Sequence, residues 1–155
     1  MDSDKKNNYT TADTLTIEFL AAMKDKITNV AVKPRRIYFE VREGFIREVA
    51  GHLFNKMHCR LSTATALETY ECLEVIYHFS LDMAGTYYSA RVLVKDKKNP
   101  QTDSISMIVK GAEWIEREMH ELWGIEFKGH PRPEPLLTGN HPRGIKVPLR
   151  FKEIT

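Results

Sequence analysis

Between Glu113 and Pro131 the chain reads EWIEREMHELWGIEFKGHP, a run dense in groups that can do chemistry. His120 and Glu121 open like the zinc-protease signature, in which two histidines one helical turn apart hold the metal and the glutamate activates water. The position four after His120 is Gly124, so the second ligand is missing. His130 and His141 each precede a proline with no cysteine nearby, the setting of surface or capping histidines. Glu118 and His120 could pair as acid and base, but residues two apart on a helix point about 160° away from each other. Neither a GxSxG elbow nor a glycine-rich phosphate loop is present. Cys59 and Cys72 lack CxxC spacing and read as reduced, buried thiols in strands. Two separated cysteines also fall short of the four thiolates that hold an iron–sulfur cluster. These spacings argue against a metal, a nucleophile or a redox centre in this chain.

The stretch does spell a helix. Ile108, Ala112, Ile115, Met119 and Leu122 recur at helical intervals, Trp123 widens the stripe, and Gly124 ends it as a left-handed cap. Glu113, Arg117 and Glu121 fall four apart on the opposite side. They are expected to form a solvated acid–base–acid ladder worth about 0.3–0.5 kcal/mol per pair. Glu118 shares a flank with Trp114 and Leu122 and is expected to be partly desolvated or paired.

Other elements must position this helix. Leu15, Phe19, Met23 and Ile27 fall along one face of a first helix, capped by Thr11 or Asp13. RRIYFEV alternates as a half-buried strand, and Ile46, Val49, Ala50, Leu53, Phe54 and Met57 mark a second helix. Three strand-like runs follow. In RLSTATALE, Leu61, Thr63, Thr65 and Leu67 share one face; CLEVIYHFSL and YYSARVLV alternate likewise. Five of the seven prolines, at 131, 133, 135, 142 and 148, lie beyond Gly129 and forbid a helix there. That tail still carries Leu136, Leu137, Ile145, Val147, Leu149 and Phe151, so it is expected to lie along a surface, its own or a partner's. The predicted fold is α+β, a mixed β-sheet with helices packed on one face, followed by a proline-rich extended C-terminal arm. Its parts are a disordered stretch over 1–10, a domain over 11–129 and an arm over 130–155.

Composition narrows the partners. A chain of 155 residues with 28% charged and 42% hydrophobic residues fits one soluble domain. A net charge of +2 is too weak to imply nucleic acid. An RNA-binding sheet would expose Tyr38, Tyr77, Tyr87 and Tyr88 among cations, yet Tyr77 and Tyr88 already belong to apolar faces. The start lacks the apolar run of a signal peptide, and no stretch nears the roughly 20 apolar residues that span a bilayer. Membrane contact is therefore expected only through partner subunits.

The stretch also resembles the signature of the 30 kDa subunit family of respiratory complex I, E-R-E-x-[aromatic]-D-x-[aromatic]-G-I-x-F-x-G-H-P. Glu116, Arg117, Glu118, Gly124, Ile125, Phe127, Gly129, His130 and Pro131 stand on its fixed positions, and Trp123 on the second aromatic one. His120 replaces the usual aromatic residue and Glu121 the usual aspartate. After Pro131 the chain keeps only HPR and VPLR of the continuation. This short, proline-rich version is more similar to the subunit found in membrane-bound, energy-converting nickel–iron hydrogenases and related complexes.

The resemblance extends over Leu15 to Thr155. It implies a non-catalytic, cofactor-free peripheral-arm subunit on the cytoplasmic side of the cell membrane. Such a subunit braces the large catalytic subunit of an ion-translocating hydrogenase, beside a small iron–sulfur subunit. The nickel–iron centre and iron–sulfur clusters are then expected in those partners. The alternative is the same role on a 49 kDa-like subunit in a quinone-, sulfur- or NADH-linked complex I-like oxidoreductase. Residues expected at the partner interface are Trp114, Glu116, Arg117, Glu118, His120, Glu121, Gly124, Phe127, Gly129, His130, Pro131, Arg132, Arg143, Pro148 and Arg150. Arg132, Arg143 and Arg150 would grip carboxylates with their two-donor forks, and the arm is expected to stay mobile until the large subunit orders it.

Overall fold

A computed structural model describes residues 14–140 and 148–149. The expected disordered start over 1–10, the caps Thr11 and Asp13, and Arg143 and Arg150 lie outside the described residues. Helix α1 is described over 14–22 and buries Thr16 and Phe19. Ile27, predicted on the same helical face, instead opens strand β1 (Ile27–Lys33). The helix closes at Met23, whose carbonyl accepts from the Lys26 and Ile27 N–H groups. The following TNVAV is rich in β-branched residues that favour a strand over another helical turn.

A turn at Pro34 and Arg35 leads to β2 (Arg36–Val41). Helix α2 (Ile46–Gly51) runs on into a π-helical turn, His52–Lys56. Then come β3 (Arg60–Glu68), β4 (Leu73–Leu81), β5 (Thr86–Val94), the short β6 (Gln101–Asp103), helix α3 (Ala112–Trp123) and the short β7 (Glu126–Lys128).

The main sheet has the order β1-β2-β5-β4-β3. Only β2 and β5 pair in parallel within it, so the sheet is mixed, as the sequence predicts. A separate parallel pair, β6 and β7, escapes the sequence reading because three residues are too few to show a period.

Alternation sets the core. Ile37, Phe39 and Val41 face the same way as Tyr88, Ala90 and Val92 on β5 and Val75, Tyr77 and Phe79 on β4. The helices cover this face. The Phe19 ring lies 5.3 Å from that of Phe39 and 5.6 Å from that of Tyr88, and Thr16 Oγ1 hydrogen-bonds the Tyr88 hydroxyl at 2.7 Å.

β3 departs from its predicted single face. A bulge between Leu61 and Thr63 turns Leu61 inward opposite Phe79 and sets Thr63 opposite His78 on the other side. On that outer side Arg91 lies 3.3 Å from Glu40 and 3.8 Å from Glu74, bridging three neighbouring strands. Tyr38 and Tyr87 are partly exposed whereas Tyr77 and Tyr88 are fully buried, which leaves half of an RNA-stacking platform. Cys59 and Cys72 are free and buried, but each precedes its strand instead of lying within it. Burial pushes the Cys59 thiol up to about 12, so it stays protonated and unreactive near neutral pH.

Candidate functional site

α3 carries the signature. Ala112 and Met119 are buried toward the core, Ile115 packs at its margin, and Gly124 closes the helix at φ 75° with its N–H on the His120 carbonyl at 2.8 Å. Only glycine adopts that left-handed backbone without strain. A side chain there would also meet the Pro148 ring at 3.4 Å. The next residue, Leu149, donates its N–H to the Glu121 carbonyl at 2.9 Å and satisfies one of the orphan carbonyls at the helix end.

Two carboxylates on this helix have no exposed surface, Glu116 and Glu121. Glu116 points at the sheet. Its Oε1 accepts from the Tyr77 hydroxyl and the Ile105 N–H, both at 2.9 Å, and its Oε2 from Ser104 Oγ at 2.5 Å. One side chain thus joins α3 to β4 and to the loop after β6. Burial dominates its titration and pushes the carboxyl above the ordinary glutamate range, against the opposing pull of Ser104, Ile105, Tyr77 and His130. Burial, then the neighbouring Glu116 charge, keep the Tyr77 hydroxyl protonated as a donor.

Glu121 points the other way. Its Oε2 accepts from the N–H groups of Leu136 and Leu137 at 2.8 and 2.6 Å, and its Oε1 from the N–H and hydroxyl of Thr138 at 2.9 and 2.6 Å. Burial alone would raise this carboxyl, but the four donors together outweigh it and hold the group below its ordinary range. Three successive N–H groups make a small anion-binding nest.

Arg117 completes the arrangement. It is nearly buried, with Nε donating to the Glu134 carbonyl at 2.8 Å and Nη2 to the Pro135 carbonyl at 3.0 Å. The predicted solvated ladder of Glu113, Arg117 and Glu121 is therefore corrected. Among the described residues these three form no ion pair with one another, and the proline-rich segment covers the two that matter. The physical reason lies in the prolines. Chain that makes neither helix nor strand must find side-chain partners for its backbone groups, and a basic and an acidic side chain four apart on one helix supply a donor and an acceptor. That need was the readable signal. The described part of the arm, expected to be mobile before a partner binds, is accordingly seated on α3 of its own chain.

The remaining signature residues hold the next turn. His130 Nε2 donates to the Glu113 carbonyl at 3.0 Å while its Nδ1 accepts the Arg132 N–H at 3.0 Å, a pattern that assigns a neutral imidazole. Its Nε2 lies 3.8 Å from Glu116, near but beyond hydrogen-bond reach. His120 Nδ1 donates to the Ile125 carbonyl at 2.9 Å, so it fastens the chain just past the helix. Phe127 is buried in β7, and Arg132 reaches to 3.8 Å from Glu113. Gly129, at φ 76°, leaves room for Arg47, whose Nη2 would lie 2.7 Å from an added Cβ. Arg47 donates to the carbonyls of Ser104 and Lys128 and so ties α2 to β6 and β7. Trp114, by contrast, is 65% exposed, and Glu118 is half-buried without a polar partner among the described residues. The expected desolvation of Glu118 is present; the pairing is not.

A recess of about 190 Å³ lies among Glu116, Arg117, His120, Phe127, His130 and Pro133. It is smaller than the roughly 300 Å³ at which ligand pockets begin. A larger groove of about 890 Å³ runs past Arg42, Glu43, Lys95 and Asp96, where opposite charges alternate without converging on one point. Among the described residues no three His, Cys, Asp or Glu side chains are grouped to hold a metal ion, and no helix is long and apolar enough to cross a membrane.

Residues 39–153 match the family described as respiratory-chain NADH dehydrogenase, 30 Kd subunit. The chain is 31% identical over 150 residues to the NAD(P)H-quinone oxidoreductase subunit J of Prochlorococcus marinus subsp. pastoris, covering 93% of this chain and 80% of that protein. It is 36% identical over 68 residues to the C/D protein of the NADH-quinone oxidoreductase of Bacteroides thetaiotaomicron, covering 44% of this chain but 13% of that protein. A chain in the structure of the membrane-bound sulfane sulfur reductase, an archaeal respiratory membrane complex, superposes with a TM-score of 0.67 at 19% identity, over 89% of this chain and 79% of that one. Signature, fold and similarity agree: this chain belongs to the 30 kDa subunit family of the respiratory-chain NADH dehydrogenase.

Proposed function

We propose that this chain is a structural subunit of a membrane-bound, complex I-like oxidoreductase, bracing the large subunit without catalysing a step itself. One observation carries the reading. The charged residues of the signature are consumed in holding the chain together: Glu116 to the sheet, Arg117 and Glu121 to the proline-rich segment. Groups so engaged are not available to a substrate. What they leave outward is a rigid helix with Trp114, Glu118 and Leu122 along one flank, a surface suited to a protein partner. The name C/D of the Bacteroides relative supports a large D-type subunit as that partner. The chain divides into a domain over 11–129 and an arm over 130–155, with the described part of the arm docked on the domain. Redox centres then reside in the partner subunits, and the chain is peripheral on the cytoplasmic side.

For the complex as a whole we propose the energy-converting nickel–iron hydrogenase version, on the strength of the short proline-rich continuation after Pro131. The second reading is quinone or sulfur reduction, favoured by the names of the Prochlorococcus relative and of the archaeal structure. Purifying the tagged chain from its own cells separates them. A co-purifying large subunit with two CxxC motifs and bound nickel supports hydrogenase; a large subunit lacking both supports the second reading. Trp114→Asp should abolish co-purification while leaving the thermal midpoint of the free chain unchanged. Recovery of the wild-type chain alone from intact membranes, or undiminished capture by the variant, contradicts the bracing role.

A further inference from the structure

One end of the main sheet gathers two turns that the α3 site does not use. β2 and β5 run parallel with Arg36 opposite Tyr87, and the Tyr87 N–H donates to the Arg35 carbonyl at 2.9 Å. The β1–β2 turn thus sits beside the β4–β5 turn at Asp82–Gly85. Lys33, Arg35 and Arg36 are exposed there. Lys33 stands 5.8 Å from the Tyr38 ring centre, and neither Lys33 nor Arg36 forms an ion pair among the described residues. Asp82, the one acid of the two turns, is already gripped by the Arg60 fork at 2.9 and 3.1 Å. Among these cations stand exposed apolar side chains: Met83 at 83%, Val32 at 62% and Tyr87 at 41%.

Scattered exposed apolar residues are ordinary. Apolar residues interleaved with uncompensated cations at one end of a sheet are an interaction surface. Three features select its occupant. Arginine, tyrosine and methionine are the residues enriched in protein–protein interfaces. Arg60 on Asp82 demonstrates locally how a guanidinium takes a carboxylate with two parallel donors. β1 is an edge strand paired only with β2, so beside the cations its outer backbone groups can pair with another extended chain. Lipid headgroups and RNA have no use for a strand edge.

We infer that this basic end of the sheet docks an acidic, apolar-interleaved extended segment of a protein partner. Its carboxylates bind Arg35 and Arg36, and its apolar side chains rest on Met83 and Tyr87. No residue of the α3 site takes part, so the inference stands apart from the bracing role. The test is titration of the full-length, isotope-labelled chain, followed by amide NMR. The probes are a short peptide of alternating leucine and glutamate, its leucine–glutamine counterpart, vesicles containing phosphatidylglycerol, and a single-stranded RNA. The leucine–glutamate peptide should shift resonances of residues 32–36 and 82–87 and bind more weakly as salt rises. Arg36→Glu and Met83→Asp, both at exposed positions, should each weaken it about tenfold with unchanged thermal midpoints. Absence of those shifts, equal binding of the glutamine peptide, indifference to both substitutions, or tighter binding of vesicles or RNA would overturn the inference.

Discussion

Glu116 and Glu121 sit five residues apart on one helix, both without exposed surface, and their environments push them in opposite directions. Glu116 meets three donors contributed by three separate places in the chain, Tyr77, Ser104 and Ile105. Glu121 meets four donors from three consecutive residues, Leu136 to Thr138. Burial outweighs the donors in the first case and is outweighed in the second. The first carboxylate joins the helix to the body of the domain; the second holds a segment with no backbone ladder of its own. Burial by itself therefore says little about a carboxylate's role. The number and origin of its donors decide whether it fixes a core or fastens a strap.

The comparison breaks hardest at Glu116. Glu116→Ala strands the Tyr77 hydroxyl and the Ile105 N–H in a dry interior and should lower global stability by about 3–5 kcal/mol, read as a shift in urea midpoint. A loss under about 1 kcal/mol would mean that Glu116 does not join α3 to the sheet. Next comes Gly124→Ala, which forces a left-handed residue against Pro148. It should cost about 1–2 kcal/mol by the same measurement, and an unchanged midpoint would show that the helix end can relax.

The pH dependence sharpens the contrast with a smaller effect. Glu121 is held below the ordinary glutamate range, so its contribution is complete above that range and is lost as pH falls through it. Glu116 is raised, so its contribution is complete at low pH and declines as pH rises through its elevated value. Urea midpoints between about pH 3 and 7 should show Glu121→Gln flattening the acid side of the profile. Glu116→Gln should remove the decline on the other side. Identical profiles for both variants would erase the distinction.

Much of this was legible in the residues. β2, β4 and β5 alternate cleanly, and α3 and α2 keep a helical period, so their assignments needed no tertiary information. β1 was hidden because Ile27 happens to continue the spacing of Phe19 and Met23. The bulge in β3 was hidden because an extra residue leaves no mark in composition. At the site, the identities were readable and the directions were not. A glutamate four residues from an arginine reads as surface decoration until something covers it, and the cover here is a proline-rich segment far from any recognisable element. Glu116 was harder still, since its donors lie 39, 12 and 11 residues away in sequence.

The central claim is that α3 of this chain, through Arg117 and Glu121, holds the proline-rich segment before any partner arrives. Amide hydrogen exchange on the isolated full-length chain tests it most directly. The amides of Leu136, Leu137 and Thr138 should exchange slowly in the wild type and become fast in Glu121→Ala, a local loss of about 2–3 kcal/mol for charge-assisted bonds. The Ile105 amide, bound to Glu116, should remain protected in both. Fast exchange of residues 136–138 in the wild-type chain, or protection that survives the substitution, would contradict the account.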